Sequence, residues 1–152
     1  MRKIFTLIFL AGTLAAAAQS ANSVTLYGYG RPSHPGIVPA NRPNATLMDY
    51  RIYVAHPAAG FRITEVRIGG KRYTFRTERV TSPVLEINNN LPQQPRTDTL
   101  VPLTTRMVEQ LILPKGPVRP GAGKLQVRYT LRGKTFWKTL GSWKELEPIM
   151  QQ

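Results

Sequence analysis

The chain has 152 residues, with 21 Lys and Arg against 8 Asp and Glu, a formal charge of +13 and no cysteine. Without thiols, disulfide scaffolds, zinc-thiolate sites, cysteine nucleophiles and thiol redox chemistry are excluded. A cationic excess of this size favours polyanions and acidic partners over neutral ligands.

Arg2 and Lys3, the apolar run from Ile4 to Leu14 and the small residues Ala15 to Ala18 read as a secretory signal peptide over residues 1–20, cleaved after Ala18 or Ser20. The apolar stretch is shorter than the roughly 20 residues a membrane-spanning helix requires, so no transmembrane anchor is expected after cleavage. The protein is expected to be exported, to a bacterial periplasm or the extracellular space. Removing Arg2 and Lys3 leaves 19 basic against 8 acidic side chains, a net of +11. The remainder, residues 21–152, has the length of one domain with one core.

Val24 to Gly30 alternates, with Tyr27 and Tyr29 on one side, and predicts a first strand. Arg31 to Ala45 contains Pro32, Pro35, Pro39 and Pro43 without apolar periodicity and predicts a loop. From Leu47 to His56, Tyr50, Ile52 and Val54 share one face and Arg51 and Tyr53 the other, the period of a strand. Alternation resumes at Phe61 and Ile63, then slips to Val66 and Ile68, which predicts a β-bulge near Thr64 and Glu65.

Gly69-Gly70 supplies the two positive-φ positions of a tight hairpin. A two-residue turn there sets Ile68 opposite Lys71, Arg67 opposite Arg72 and Val66 opposite Tyr73. The returning strand then runs on, with Tyr73 and Phe75 inward and Arg72, Thr74, Arg76 and Glu78 outward, until Thr81-Ser82-Pro83 ends it. Val84 to Asn88 predicts a short strand, Asn88 to Gln94 a loop, and Thr99 to Leu103 a strand in which Pro102 marks an edge or a strand end. Met107 to Leu113 fits a buried strand better than a helix.

Pro114 to Gly123 is a proline-glycine connection. Beyond it Leu125, Val127, Tyr129 and Leu131 alternate with polar residues, and Arg132-Gly133 turns the chain back through Lys134 to Leu140. That register sets Tyr129 opposite Phe136 inside and Arg128 opposite Trp137 outside. Ser142-Trp143-Lys144-Glu145 matches a capping box and predicts one helical turn before Pro148. Seven to nine short strands without a long helix predict an all-β, antiparallel β-sandwich, immunoglobulin-like in its architecture. A small β-barrel is the alternative.

Catalytic chemistry is thinly supplied. His34 and His56, the only histidines, both precede proline and read as turn residues. With Asp49 they offer two histidines and a carboxylate, yet no pair has the spacing that aims two rings at one point. No carboxylate pair of the glycosidase kind, nucleophile elbow, phosphate loop or dinucleotide fingerprint is present. No metal, no cofactor and no catalytic residue is therefore expected.

The outward faces of the two hairpins are richer. Arg67, Arg72 and Arg76 project from the first, offset only by Glu65 and Glu78, and Arg128 lies beside Trp137 on the second. These five, Arg67, Arg72, Arg76, Arg128 and Trp137, are the candidate binding residues. Arg67 opposite Arg72 is a like-charge pair, which costs stability unless an anion compensates it. The expected function is a non-catalytic binding or assembly module that presents a basic strand face to an acidic protein or to an anionic glycan or lipid head group. Nucleic acid is not expected for an exported chain. The alternatives are a structural subunit docking by β-strand addition, through an exposed edge or Val24 to Gly30, and a small hydrolase using His34 or His56.

Overall fold

The computed structural model describes residues 23–33, 47–57, 59–88, 96–102, 104–114 and 123–148. The predicted leader, His34, and the centres of the proline-rich and asparagine-rich connections lie outside the described residues. The fold is all-β. Its strands are β1 (Thr25–Ser33), β2 (Leu47–His56), β3 (Phe61–Ile68), β4 (Lys71–Tyr73), β5 (Arg76–Val80), β6 (Val84–Asn88), β7 (Arg96–Val101), β8 (Met107–Ile112), β9 (Leu125–Leu131), β10 (Lys134–Leu140) and β11 (Lys144–Glu145). They form one sheet in the order β11-β1-β2-β8-β5, a second in the order β10-β9-β3-β4, and a ribbon of β6 and β7. No sheet closes into a barrel among the described residues, and the arrangement is that of a β-sandwich. No helix among them is long and apolar enough to cross a membrane.

Alternation explains how the layers meet. Leu26, Ile52, Val54 and Leu111 from the five-stranded sheet face Ile63, Val66, Leu125, Val127 and Tyr129 from the four-stranded one, and all are buried. Each large aliphatic side chain among them contributes about 1.5–3 kcal/mol by leaving water. The opposite face of the five-stranded sheet is also covered. Tyr29, Tyr53, Ala55 and Val108 pack with Leu100 and Val101 of β7 and with Leu146. Tyr53, on the face of β2 away from the main core, is therefore only 2% exposed.

Both predicted hairpins form in the predicted register. Ile68 pairs with Lys71, Arg67 with Arg72 and Val66 with Tyr73, around Gly69 and Gly70 at φ 57° and 81°. Tyr129 pairs with Phe136 and Arg128 with Trp137. The bulge falls between Ile63 and Glu65, as the slip in alternation predicts.

Four local expectations are corrected. The first hairpin does not continue past Tyr73. The chain crosses at Thr74-Phe75, with Phe75 packed against the core between the sheets, and β5 pairs with β8 in the other sheet. Arg31 to Ser33 is strand, paired with Leu47 to Asp49. β11 reaches only Gly30, so no strand among the described residues pairs with buried Pro32 on that side of β1, and its missing N–H leaves no ladder bond unmade there. His56 is the last residue of β2 and is 2% exposed, so it is no turn residue.

The capping-box turn is absent, and Lys144-Glu145 instead pairs in parallel with Tyr29-Gly30. Tertiary packing overrides the local signal. Trp143 lies against Tyr50, with ring centres 5.0 Å apart, and Leu146 enters the second cluster. The Trp143 indole also donates to the Gly123 carbonyl at 3.0 Å. At Gly123 the backbone has φ 111°, and a Cβ would stand 2.5 Å from the Gly69 Cα, so only glycine fits where this loop meets the first hairpin turn.

Candidate functional site

The outward face of the four-stranded sheet gathers the basic residues. The bulge at Thr64 resets the phase of β3, so that Arg62, Glu65 and Arg67 point outward while Ile63 and Val66 point into the core. Thr64 donates its hydroxyl to the Arg128 carbonyl at 3.2 Å, spanning the gap the bulge leaves in the ladder. Beyond the bulge, Glu65 stands opposite Arg128, and Arg128 stands opposite Trp137. One row of the sheet therefore reads carboxylate, guanidinium, indole.

Glu65 is the keystone of this row. Its carboxylate accepts from Arg67 Nε at 2.5 Å and lies 3.7 Å from Arg128 Nη1. The Arg67 hydrogen bond chiefly holds the carboxyl below its ordinary range; burial opposes this, and the charges of Arg67, Arg72 and Arg128 reinforce it. The guanidinium carbons of Arg67 and Arg128 lie 5.1 and 5.9 Å from the Trp137 ring centre. Contacts of this kind contribute about 0.5–1 kcal/mol each at exposed positions. Trp137 keeps 43% of its surface open to solvent.

Of the five candidates, Arg67, Arg72, Arg128 and Trp137 come together. Arg76 does not. It sits on β5 in the other sheet, opposite Ile112, with Glu78 at 3.4 Å. The predicted opposition of Arg67 and Arg72 is real, and Glu65, which holds Arg67, partly offsets it. Arg62 belongs to the face and was missed by sequence reasoning. The bulge was its signal, since a one-residue slip moves Arg62 into the phase of Arg67.

A second charged cluster was not read from the sequence. Glu86 of β6 pairs with Arg31 of β1 and, at 2.6 Å, with Arg51 of β2. The Arg31 side chain is only 6% exposed. Burial, followed by the neighbouring Arg51, pulls its pKa down, while Asp49 opposes the shift. This network clamps the ribbon to the sheet and leaves Leu85 and Ile87 outward, at 52% and 59% exposure.

His56 stacks on Phe61 with ring centres 3.9 Å apart. Its Nδ1 lies 2.8 Å from the Pro57 carbonyl, and its Nε2 lies 3.5 Å from Glu109. No group of three metal-ligating side chains occurs among the described residues. Comparisons with protein-family models, curated proteins and solved structures find no match for the chain.

Proposed function

We propose that the chain is an exported, non-catalytic binding module whose basic strand face docks an acidic surface of a partner protein. The observation that carries this reading is the exposed Trp137 with Arg67 and Arg128 against its ring, beside Arg72 and Arg62 and above the single carboxylate of Glu65. A partly exposed tryptophan among arginines is the composition of an interface hot spot. The surrounding charge supplies electrostatic steering toward an acidic partner.

The test is capture of the tagged protein from its native envelope fraction at about 50 mM and about 500 mM salt, where screening shortens to a few ångströms. The Arg67→Ser/Arg128→Ser variant is run alongside. A partner protein lost both at high salt and in the variant supports the reading. An anionic glycan or lipid with the same dependence would replace the partner class. A partner retained in fixed ratio, indifferent to salt and to both substitutions, would replace the basic face with an assembly contact.

A further inference from the structure

We propose that the turn end of the four-stranded sheet, which carries Arg67, Arg72 and Lys124, is a subsite for a carboxylate on an acidic segment of the partner. The inference deepens the basic-face reading and rests on it. It assigns an anchoring point on that face and the chemical group that fills it.

The arrangement follows from the turn. With only Gly69 and Gly70 in the bend, Arg72 falls directly opposite Arg67, and directly opposed side chains share one face of a sheet. That face is the outward one, because Val66 and Ile68 on either side of Arg67 are buried. Lys124 is held beside the turn by its carbonyl, which accepts from the Gly69 N–H at 3.1 Å, and its side chain is exposed. The close approach of Gly123 to Gly69 fixes the same stretch of backbone.

This end of the sheet has no carboxylate to spare. The chain contains no Asp or Glu between Glu65 and Glu78, or between Glu109 and Glu145. Glu65 is already shared between Arg67 and Arg128. Arg72 and Lys124 form no ion pair and no side-chain hydrogen bond among the described residues. Arg67 gives its Nε–H to Glu65, and no acceptor among the described residues takes its two Nη groups. An anion seated between Arg67 and Arg72 removes the cost of opposing two like charges. A carboxylate matches the planar guanidinium fork, which it meets through two parallel N–H bonds. Arg62, at the other end of β3, stands opposite Thr130 with no second cation across from it, so it does not form an equivalent pair.

The probe is a peptide of about six residues with a central Glu-Glu pair, compared with its Gln-Gln counterpart and with inorganic sulfate at matched ionic strength. Binding is read from the NMR signals of the Arg67 and Arg72 side-chain Nε–H groups. The Glu-Glu peptide should move both signals and the Gln-Gln peptide neither. Arg72→Ser should weaken binding at least about fivefold, and Arg76→Ser, on the other sheet, should leave it unchanged. Without peptide and at low salt, Arg72→Ser should match or exceed the native urea midpoint, because it relieves the like-charge opposition. Shifts confined to Arg62 or Arg128, binding indifferent to Arg72→Ser, or a lowered midpoint in that variant overturns the subsite. Sulfate binding more tightly than the Glu-Glu peptide overturns the carboxylate assignment. Salt-dependent and Arg67/Arg128-dependent capture from the envelope would then still uphold the basic face, so the two failures are distinguishable.

Discussion

Arg67 holds its guanidinium carbon 5.1 Å from the centre of the Trp137 ring, across the whole width of β9. The contact joins β3 to β10 on the solvent side, where no core side chain does so. Trp137→Ala removes this contact and that with Arg128. Because the residue is 43% exposed, the expected loss is about 1–2 kcal/mol at most, from two exposed cation-π contacts. Urea denaturation measures it. Partner capture should fall more steeply than stability, and Trp137→Phe should restore part of both.

Glu65 links the face to pH. Its carboxyl is held below the ordinary range, first by the Arg67 hydrogen bond. Its contribution to stability is therefore complete above the unfolded-state value and is lost as pH falls through the lower folded-state value. Glu65→Gln should be less stable than the native protein at neutral pH. The gap should narrow below about pH 4.3, the ordinary glutamate value, and close at more acid pH. Denaturant midpoints of the two proteins from pH 7 to pH 2 provide the check, and a gap independent of pH would contradict the assignment.

The sandwich strands, both hairpin registers and the bulge were legible because each depends on neighbours in sequence: alternation, Gly69-Gly70, and the slip from Ile63 to Val66. What was not legible depends on partners far along the chain. Nothing local shows that Tyr73 ends one strand and Arg76 begins another in a different sheet, because Phe75 would face inward in either arrangement. The apolar face of the ribbon gave no warning that Leu100 and Val101 cover Tyr53. The Ser142–Glu145 motif failed for the same reason, since an extended path lets Trp143 and Leu146 both reach buried surface. Four of the five candidate site residues assembled because they lie on the two hairpins, and Arg76 was lost at the crossing.

Glu86 fixes the ribbon through Arg31 and Arg51. With the Arg31 side chain 6% exposed, Glu86→Ala removes the carboxylate paired with a buried cation and leaves it only the field of Asp49, at a cost of up to about 3–5 kcal/mol. Pairing Glu86→Leu with Arg31→Met removes both charges and should recover most of that loss. Thermal unfolding measures both effects. Hydrogen exchange should show β6 and β7 loosening first in Glu86→Ala.

Two buried tyrosines provide an internal comparison. Tyr29 donates its hydroxyl to the Leu100 carbonyl at 2.6 Å, tying β1 to β7. The Tyr129 hydroxyl is buried without a partner among the described residues. Burial raises both pKa values, so neither hydroxyl ionises in its ordinary range and both act as neutral groups at neutral pH. Tyr29→Phe removes a donor and leaves a buried carbonyl one bond short, costing about 1–3 kcal/mol. Tyr129→Phe removes only an unsatisfied polar atom from between Phe61 and Phe136, so its stability should be unchanged or higher. Chemical denaturation of the two variants against the native protein tests the contrast. A Tyr129→Phe loss as large as that of Tyr29→Phe would mean that the Tyr129 hydroxyl is satisfied in the folded protein.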